Sequence, residues 1–193
     1  MAVILASQSP RRRELLSILG VPFTARAADI DETMDPSLPP EREVARVGAE
    51  KARAIAALLA PGDIVIAADT IVVVDGAILG KPRDEADACR MLRLLSGREH
   101  EVMTGLTVRQ GEFVQSQVVK TRIRFRPLSE TEILAYVATG EPMDKAGAYG
   151  IQGRASIFVS QLTGDYFCVM GLPLCPLAGM LRRCGVAILG DVG

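Results

Sequence analysis

Tryptophan is missing from this chain, histidine occurs once, and aromatic residues are only 4% of the sequence. With His100 as the single imidazole, a Ser-His-Asp or Cys-His centre would rest on it alone. Its place between Glu99 and Glu101 predicts an exposed position on a strand surface. Cys89, Cys168, Cys175 and Cys184 contain no CxxC pair, which argues against a zinc site and a disulfide framework and fits a reducing cytoplasm. A net charge of −1 lacks the electrostatic footprint of a protein that binds nucleic acid or anionic membranes. The charge-free stretch 166–181 is short for a membrane span and is broken by Gly171, Pro173, Pro176 and Gly179, so it predicts a buried loop and helix. The N-terminus runs apolar first and basic second, the reverse of a secretory signal. Neither GxxxxGK[ST] nor GxGxxG occurs, which removes the P-loop and Rossmann routes to a nucleotide. With no repeat and no low-complexity linker, 193 residues predict a single domain over 1–193.

What is present reads as α/β. A buried strand over 3–6 leads into a helix over 10–19, with Ser9 as N-cap, Pro10 at the first helical position and Gly20 at the end. Arg11, Arg12 and Arg13 add positive charge to a helix end that is already electropositive, a conflict that a bound anion would remove. Arg12 shares a stripe with Leu15, Leu16 and Leu19 and is the best placed of the three. A second strand is expected within 23–28, followed by the acidic loop 29–33 that contains Glu32. In the helix over 41–59, Lys51 falls at the centre of the apolar stripe Val44, Val47, Ile55 and Leu58; its ammonium must snorkel to water or meet a partner.

The apolar run 64–68 predicts a strand covered on both faces, with Asp69 and Thr70 at or beyond its carboxyl end, where open α/β sheets bind ligands. A hairpin, 71–74 and 77–79 around Asp75-Gly76, folds Gly80-Lys81-Pro82 back toward Asp69. Further on come a helix over 86–95, strands within 101–125 turning at Gln110-Gly111, and a solvated face made by Arg122, Arg124 and Arg126. Ser129 and Glu132 form a capping box for a helix through Val137. The C-terminal part predicts a strand over 156–160, a helix over 177–183 and a final strand over 186–189.

With histidine and cysteine chemistry set aside, carboxylates and cations remain. Asp69 and Glu32 suit a hard, oxygen-preferring divalent ion, and Arg12, Lys51 and Lys81 suit phosphate oxygens, the inventory that phosphoanhydride hydrolysis needs.

Ser7-Gln8-Ser9-Pro10-Arg11-Arg12, Ala68-Asp69-Thr70, Gly80-Lys81-Pro82 and the stretch from Asp144-Lys145-Ala146-Gly147 through Gly150-Ile151-Gln152-Gly153 together closely resemble the Maf family of nucleotide pyrophosphatases. Gly97, His100, Gly105, Gly164-Asp165-Tyr166 and Gly171-Leu172-Pro173-Leu174 follow the same pattern in order, so the resemblance runs almost end to end. It implies an inosine-triphosphate-pyrophosphatase-like fold: an elongated mixed β-sheet flanked by helices, with a nucleotide cleft between two lobes. It also implies cleavage of a nucleoside triphosphate to monophosphate and pyrophosphate with Mg²⁺ or Mn²⁺, in a cytoplasmic homodimer. Carried onto this chain, the catalytic carboxylate is Asp69, as general base or metal ligand, with Glu32 as the acidic loop residue. The phosphate-binding group is Arg12, Lys51 and Lys81, with Ser9 beside Arg12. Arg11, Thr70 and Gln152 match the positions that set base preference, in the form carried by the branch acting on dTTP and UTP; the branch acting on 7-methyl-GTP has an aromatic residue and an acidic one in place of Arg11 and Gln152. The competing reading is a nucleotide-binding regulator of cell division or septum formation, which would need no general base.

Overall fold

Eleven residues in continuous strand conformation, Ile64–Val74 (β3), run through the middle of the molecule and carry Asp69 and Thr70 at their centre. The computed structural model describes residues 1–35 and 37–190; Pro36 and the last three residues lie outside it. β3 belongs to a mixed seven-stranded sheet in the order β2-β1-β3-β5-β6-β7, with β4 also paired to β3. The short strands β1 (Val3–Leu5) and β2 (Thr24–Ala25) are parallel to their neighbours. β4 (Ala77–Leu79), β5 (Glu99–Gln110), β6 (Phe113–Phe125) and β7 (Val159–Thr163) are antiparallel to theirs.

Period-two geometry divides β3 between two cores on each face of the sheet. On one face Ile64, Ile66 and Ala68 pack with Leu15 and Leu16 of α1 (Pro10–Ile18), with Met170 of α5 (Tyr166–Met170) and with Leu177 and Leu181 of α6 (Leu174–Arg183). Val72 and Val74, on the same face, pack instead with Leu92 and Leu95 of α3 (Glu85–Leu95) and Ile133 of α4 (Glu130–Val137). On the other face, α2 (Pro40–Ala56) covers Val65 and Ala67 with Ala52 and Ile55, and Ile71 and Val73 with Val44. Thr70 on one face and Asp69 on the other stand at the seam. Because each fully buried Leu or Ile stabilises by about 1.5–3 kcal/mol, the flanking apolar residues hold the two seam residues in place without their help.

Two glycines set the depth of α2. A Cβ on Gly105 of β5, the residue paired with Asp69, would lie 2.3 Å from the Val44 carbonyl oxygen, and one on Gly48 would lie 2.9 Å from the Gly105 oxygen. Helix backbone therefore rests directly on strand backbone, which lowers the buried Lys51, three residues after Gly48, to the level of Asp69.

Ser9 caps α1, with Pro10 at the first helical position, and the capping box of Ser129 and Glu132 opens α4, both as expected. The Asp75-Gly76 turn has positive φ at both residues and joins β3 to β4. Arg122 and Arg124 are exposed and alternate with buried Ile123 and Phe125. No helix among the described residues is long and apolar enough to cross a membrane, and all four cysteines are free thiols.

Five expectations are corrected. The strand expected to end at Ala68 continues to Val74, because the apolar pattern resumes at Ile71 and β5 pairs with it from Ile64 to Val73. Only Thr24 and Ala25 of 23–28 pair, since their neighbour β1 is itself three residues long. The strand expected over 156–160 is a 3₁₀ segment, Arg154–Phe158, that leads into β7. Helix α6 starts three residues before 177, since Pro176 in its first turn costs no hydrogen bond. Residues 186–189 form no strand: Gly185 and Val186 donate back to the Arg182 and Leu181 carbonyls, closing α6, and Ile188 joins the core.

His100 is likewise not on the surface. It is 3% exposed, edge-on to Phe125 and Tyr149, with Nε2 2.8 Å from the Tyr149 hydroxyl. Its charged neighbours point to the opposite face of β5. Burial pushes its pKa down to about 4, so the ring is neutral at pH 7 and serves as packing for Tyr149, a cleft-lining residue.

Candidate active site

β1 pairs with one edge of β3 only through Ile66, and β4 pairs with that edge only from Val72. Between them, no strand among the described residues lies beside 67–71 on that edge, while β5 pairs along the opposite edge from Ile64 to Val73. A cleft of about 780 Å³ enters at this interruption. Because the edge is open, side chains from both faces reach it: Asp69 and Thr70, which point opposite ways, both line the cleft.

On the α2 side, Lys51 Nζ lies 2.7 Å from Asp69 Oδ1 and 3.0 Å from Glu32 Oε1. The Lys51 and Asp69 side chains are only 8% and 10% exposed. An unpaired ammonium this deep would cost several kcal/mol, so ion pairing, not snorkelling, is what makes the position tolerable. Two carboxylates on one ammonium leave one negative charge in excess and bring oxygens of the acidic loop and of β3 together. That donor set fits a hard divalent cation held by one or two carboxylates, with phosphate oxygens and water completing its shell. No larger group of three or more His, Cys, Asp or Glu is present among the described residues.

On the α1 side, Arg12 leaves the first turn of the helix and is clamped on two atoms: Nε donates to the Gly171 carbonyl at 2.8 Å and Nη2 to Thr70 Oγ1 at 3.1 Å. Gly171 has φ of +102°, and a Cβ there would crowd Thr70 Oγ1 and Arg12 Nε at 3.2 and 3.3 Å, so glycine suits the close approach. Thr104 Oγ1 donates to the Cys168 carbonyl at 2.8 Å, so the 2.9 Å contact between Thr70 and Thr104 uses the Thr70 proton. Thr70 thus accepts from Arg12, with its own donor committed. Burial lowers the Arg12 pKa and Asp69 opposes the shift; the guanidinium stays charged.

The third wall is the loop around the 3₁₀ segments Glu141–Asp144 and Ala146–Ala148. Gly147 N–H donates to the Gly80 carbonyl at 3.0 Å and ties this loop to the one bearing the exposed, cleft-lining Lys81. Gln152 is exposed and lines the same wall. Arg11 Nη1 lies 3.4 Å from Asp144 Oδ2, whose other oxygen accepts from Lys145 Nζ at 2.6 Å. Ser9 is half-buried at the cleft rim, with Oγ a long 3.5 Å from Arg12 N–H.

Every residue picked out in the sequence therefore lines one cleft: Ser9, Arg11, Arg12, Glu32, Lys51, Asp69, Thr70, Lys81 and Gln152. Sequence reasoning gave no role to Asp144, which pairs with Arg11, to Lys145, which pairs with Asp144, or to the Gly171 carbonyl, which holds Arg12. Two opposite charges amid glycines spaced every third residue were a visible signal for the first; a backbone carbonyl leaves none.

A model of the Maf-like protein family matches residues 2–184. The dTTP/UTP pyrophosphatase of Anaeromyxobacter dehalogenans (strain 2CP-C) is 52% identical over 187 residues, covering 95% of this chain and 94% of that one. The dTTP/UTP pyrophosphatase of Moorella thermoacetica is 50% identical over 192 residues, 98% of each. Among solved structures, the Ham1 protein of Staphylococcus aureus superposes with a TM-score of 0.53 at 13% identity, covering 95% of this chain and 99% of that one, a likeness of fold.

Proposed function

The chain belongs to the Maf-like protein family, and from that premise we propose that it hydrolyses dTTP and UTP to the nucleoside monophosphate and pyrophosphate in this cleft. The observation that carries the reading is the shared cleft: two carboxylates facing each other across Lys51, with Arg12 clamped nearby, match a triphosphate and its metal ion. Water adds and the bond between the α and β phosphates breaks. In this reading Asp69 Oδ2 takes the proton from water while Oδ1 stays with Lys51. Arg12, Lys51 and Lys81, with the Ser9 hydroxyl, neutralise the phosphate oxygens as charge develops on the leaving group. Glu32 and Asp69 would hold Mg²⁺ or Mn²⁺, which when bound would supply Lewis acidity and lower the pKa of a coordinated water. The whole chain acts as one domain, because β3, β5 and β6 run through both halves of the sheet. A cytoplasmic site accords with the free thiols, and the homodimer implied by the resemblance is read by light scattering.

The test is product analysis over a nucleotide panel with Mg²⁺ or Mn²⁺, with and without chelator. Monophosphate and pyrophosphate from dTTP and UTP, lost on chelation, are expected. Stepwise release of orthophosphate, or binding without turnover, would overturn the reading and favour a sensor.

Base choice falls to Arg11, Gln152 and Thr70. Uracil and thymine present two carbonyls flanking one N–H; the Gln152 amide donates to one carbonyl and accepts from the N–H, and Arg11 donates to the other carbonyl. Thr70, its proton committed to Thr104, offers a lone pair only. The 7-methylguanine base is cationic and better served by an aromatic face and a carboxylate. The double variant Arg11→Trp, Gln152→Glu is expected to lower kcat/KM for dTTP and UTP roughly tenfold or more relative to 7-methyl-GTP. A uniform loss over all nucleotides for Arg11→Trp alone would assign Arg11 to the triphosphate.

A further inference from the structure

Glu43 is the most deeply buried charged residue among those described, at 0% exposure, and the proposed chemistry does not touch it. It lies in the first turn of α2, two turns before Lys51. Its Oε1 accepts from Arg46 Nε at 3.0 Å, and its Oε2 accepts from Arg46 Nη2 at 2.9 Å and from the backbone N–H of Asp35 at 2.7 Å. Arg46 Nη2 also donates to the Thr33 carbonyl at 2.8 Å, and Nη1 to Glu50 Oε2 at 3.0 Å. A bidentate pair on the helix thus grips the backbone of the acidic loop at Thr33 and Asp35, immediately after Glu32.

A bidentate pair for stability alone could form on any exposed turn of α2. Here the buried oxygen and the inner guanidinium nitrogen are both spent on loop backbone, and the rest of the loop's hold on the body is the packing of half-buried Ala28 and Met34 against the apolar cores beneath α2. Residues 26–35 contain no helix or strand, and Glu32 itself is 53% exposed. Among the described residues, its only side-chain ion pair is the one with Lys51. Hydrogen bonds from Arg46, then that from Asp35 N–H, hold the Glu43 carboxyl at about 2, so the pair is fully charged at neutral pH.

We propose that Glu43 and Arg46 are positioning residues for the cation site: by anchoring Thr33 and Asp35 to α2 they hold the Glu32 carboxylate at Lys51 and Asp69. The inference rests on the metal role proposed for Glu32. Without the clasp, the loop carrying that oxygen must be ordered by the cation itself, so affinity for the cation falls while chemistry at saturating metal is kept. Outer partners of metal ligands commonly change affinity on the order of 10–100-fold.

The test uses Arg46→Lys, which keeps the charge but cannot make the fork, and Glu43→Gln, which keeps the shape. Glu50→Gln, which removes only an outer contact of Arg46, is the control, and Glu32→Gln the reference. Mn²⁺ affinity in the presence of a non-hydrolysable UTP analogue is measured by calorimetry, hydrogen exchange at Thr33 and Asp35 by NMR, and Tm by calorimetric scan. The expected result is a roughly tenfold weaker Mn²⁺ affinity and faster Asp35 exchange in both clasp variants, kcat at saturating Mg²⁺ within about twofold, and no change in Glu50→Gln. Weaker Mn²⁺ binding in Glu32→Gln but not in the clasp variants would overturn the clasp alone. Unchanged affinity in Glu32→Gln would remove the metal role of Glu32 and the clasp with it. A lowered Tm with unchanged affinity would make the pair a plain anchor of α2, and should Arg46→Lys fail to fold, Glu43→Gln decides.

Discussion

Asp69→Asn is expected to lower kcat for dTTP and UTP by at least about 10²-fold while leaving the melting curve almost unchanged. Asparagine matches aspartate in shape and its Oδ1 still accepts from Lys51, which keeps the Glu32 carboxylate at 3.0 Å, so the buried ammonium is not stranded. The neighbouring β3 residues are held by two apolar cores independent of the carboxylate. What is lost is charge: the amide neither accepts a proton from water nor neutralises a divalent cation. The loss belongs in kcat, because Arg12, Lys51 and Lys81 still bind the triphosphate. Turnover near that of the parent with an unaltered Tm would show Asp69 to be a structural residue of the seam.

A single methyl group at Gly105 is expected to damage stability and activity together. The Cβ of Gly105→Ala would lie 2.3 Å from the Val44 carbonyl oxygen, 2.7 Å from its carbon and 3.0 Å from Ala45 N. All three are backbone of α2, which no side-chain rotation can relieve, so the helix must lift from β5. Overpacking of this kind costs about 3 kcal/mol at the upper end of its usual range. At about 2–4 °C per kcal/mol for a chain of this size, Tm should fall by roughly 6–12 °C. Lys51 rides on the lifted helix, so kcat/KM should fall as well, even at temperatures where the protein is folded. Gly62→Ala, at a position with open space, is the control and should melt within about 4 °C of the parent and not below it. If Gly105→Ala melts that close to the parent, the direct seating of α2 on β5 is not what sets the height of Lys51.

The parts of the molecule legible in the sequence are those decided within a few residues. Ser9 with Pro10, Ser129 with Glu132, and Asp75-Gly76 each satisfy or turn their own backbone, so their chemistry is complete in the local string. Arg12, Lys51 and Asp69 were also legible, because a cationic helix start, a lysine on an apolar stripe and a carboxylate at the end of an apolar run each conflict with their local surroundings; the roles of Ser9, Arg11, Thr70 and Gln152 came with the family resemblance. His100 was misplaced because Glu99 and Glu101 mark one face of β5 as wet without saying what covers the other. Glu43 and Arg46 went unmarked, since nothing local says that a loop eight residues earlier is bound to them. Why Asp69 stands at an opening was beyond the sequence altogether. β3 is continuous, and the site exists because β1 stops pairing at Ile66 and β4 starts at Val72. An interruption at a strand's edge is a property of its neighbours, and strand pairing is settled by packing between segments far apart in the chain, where periodicity and capping carry no information.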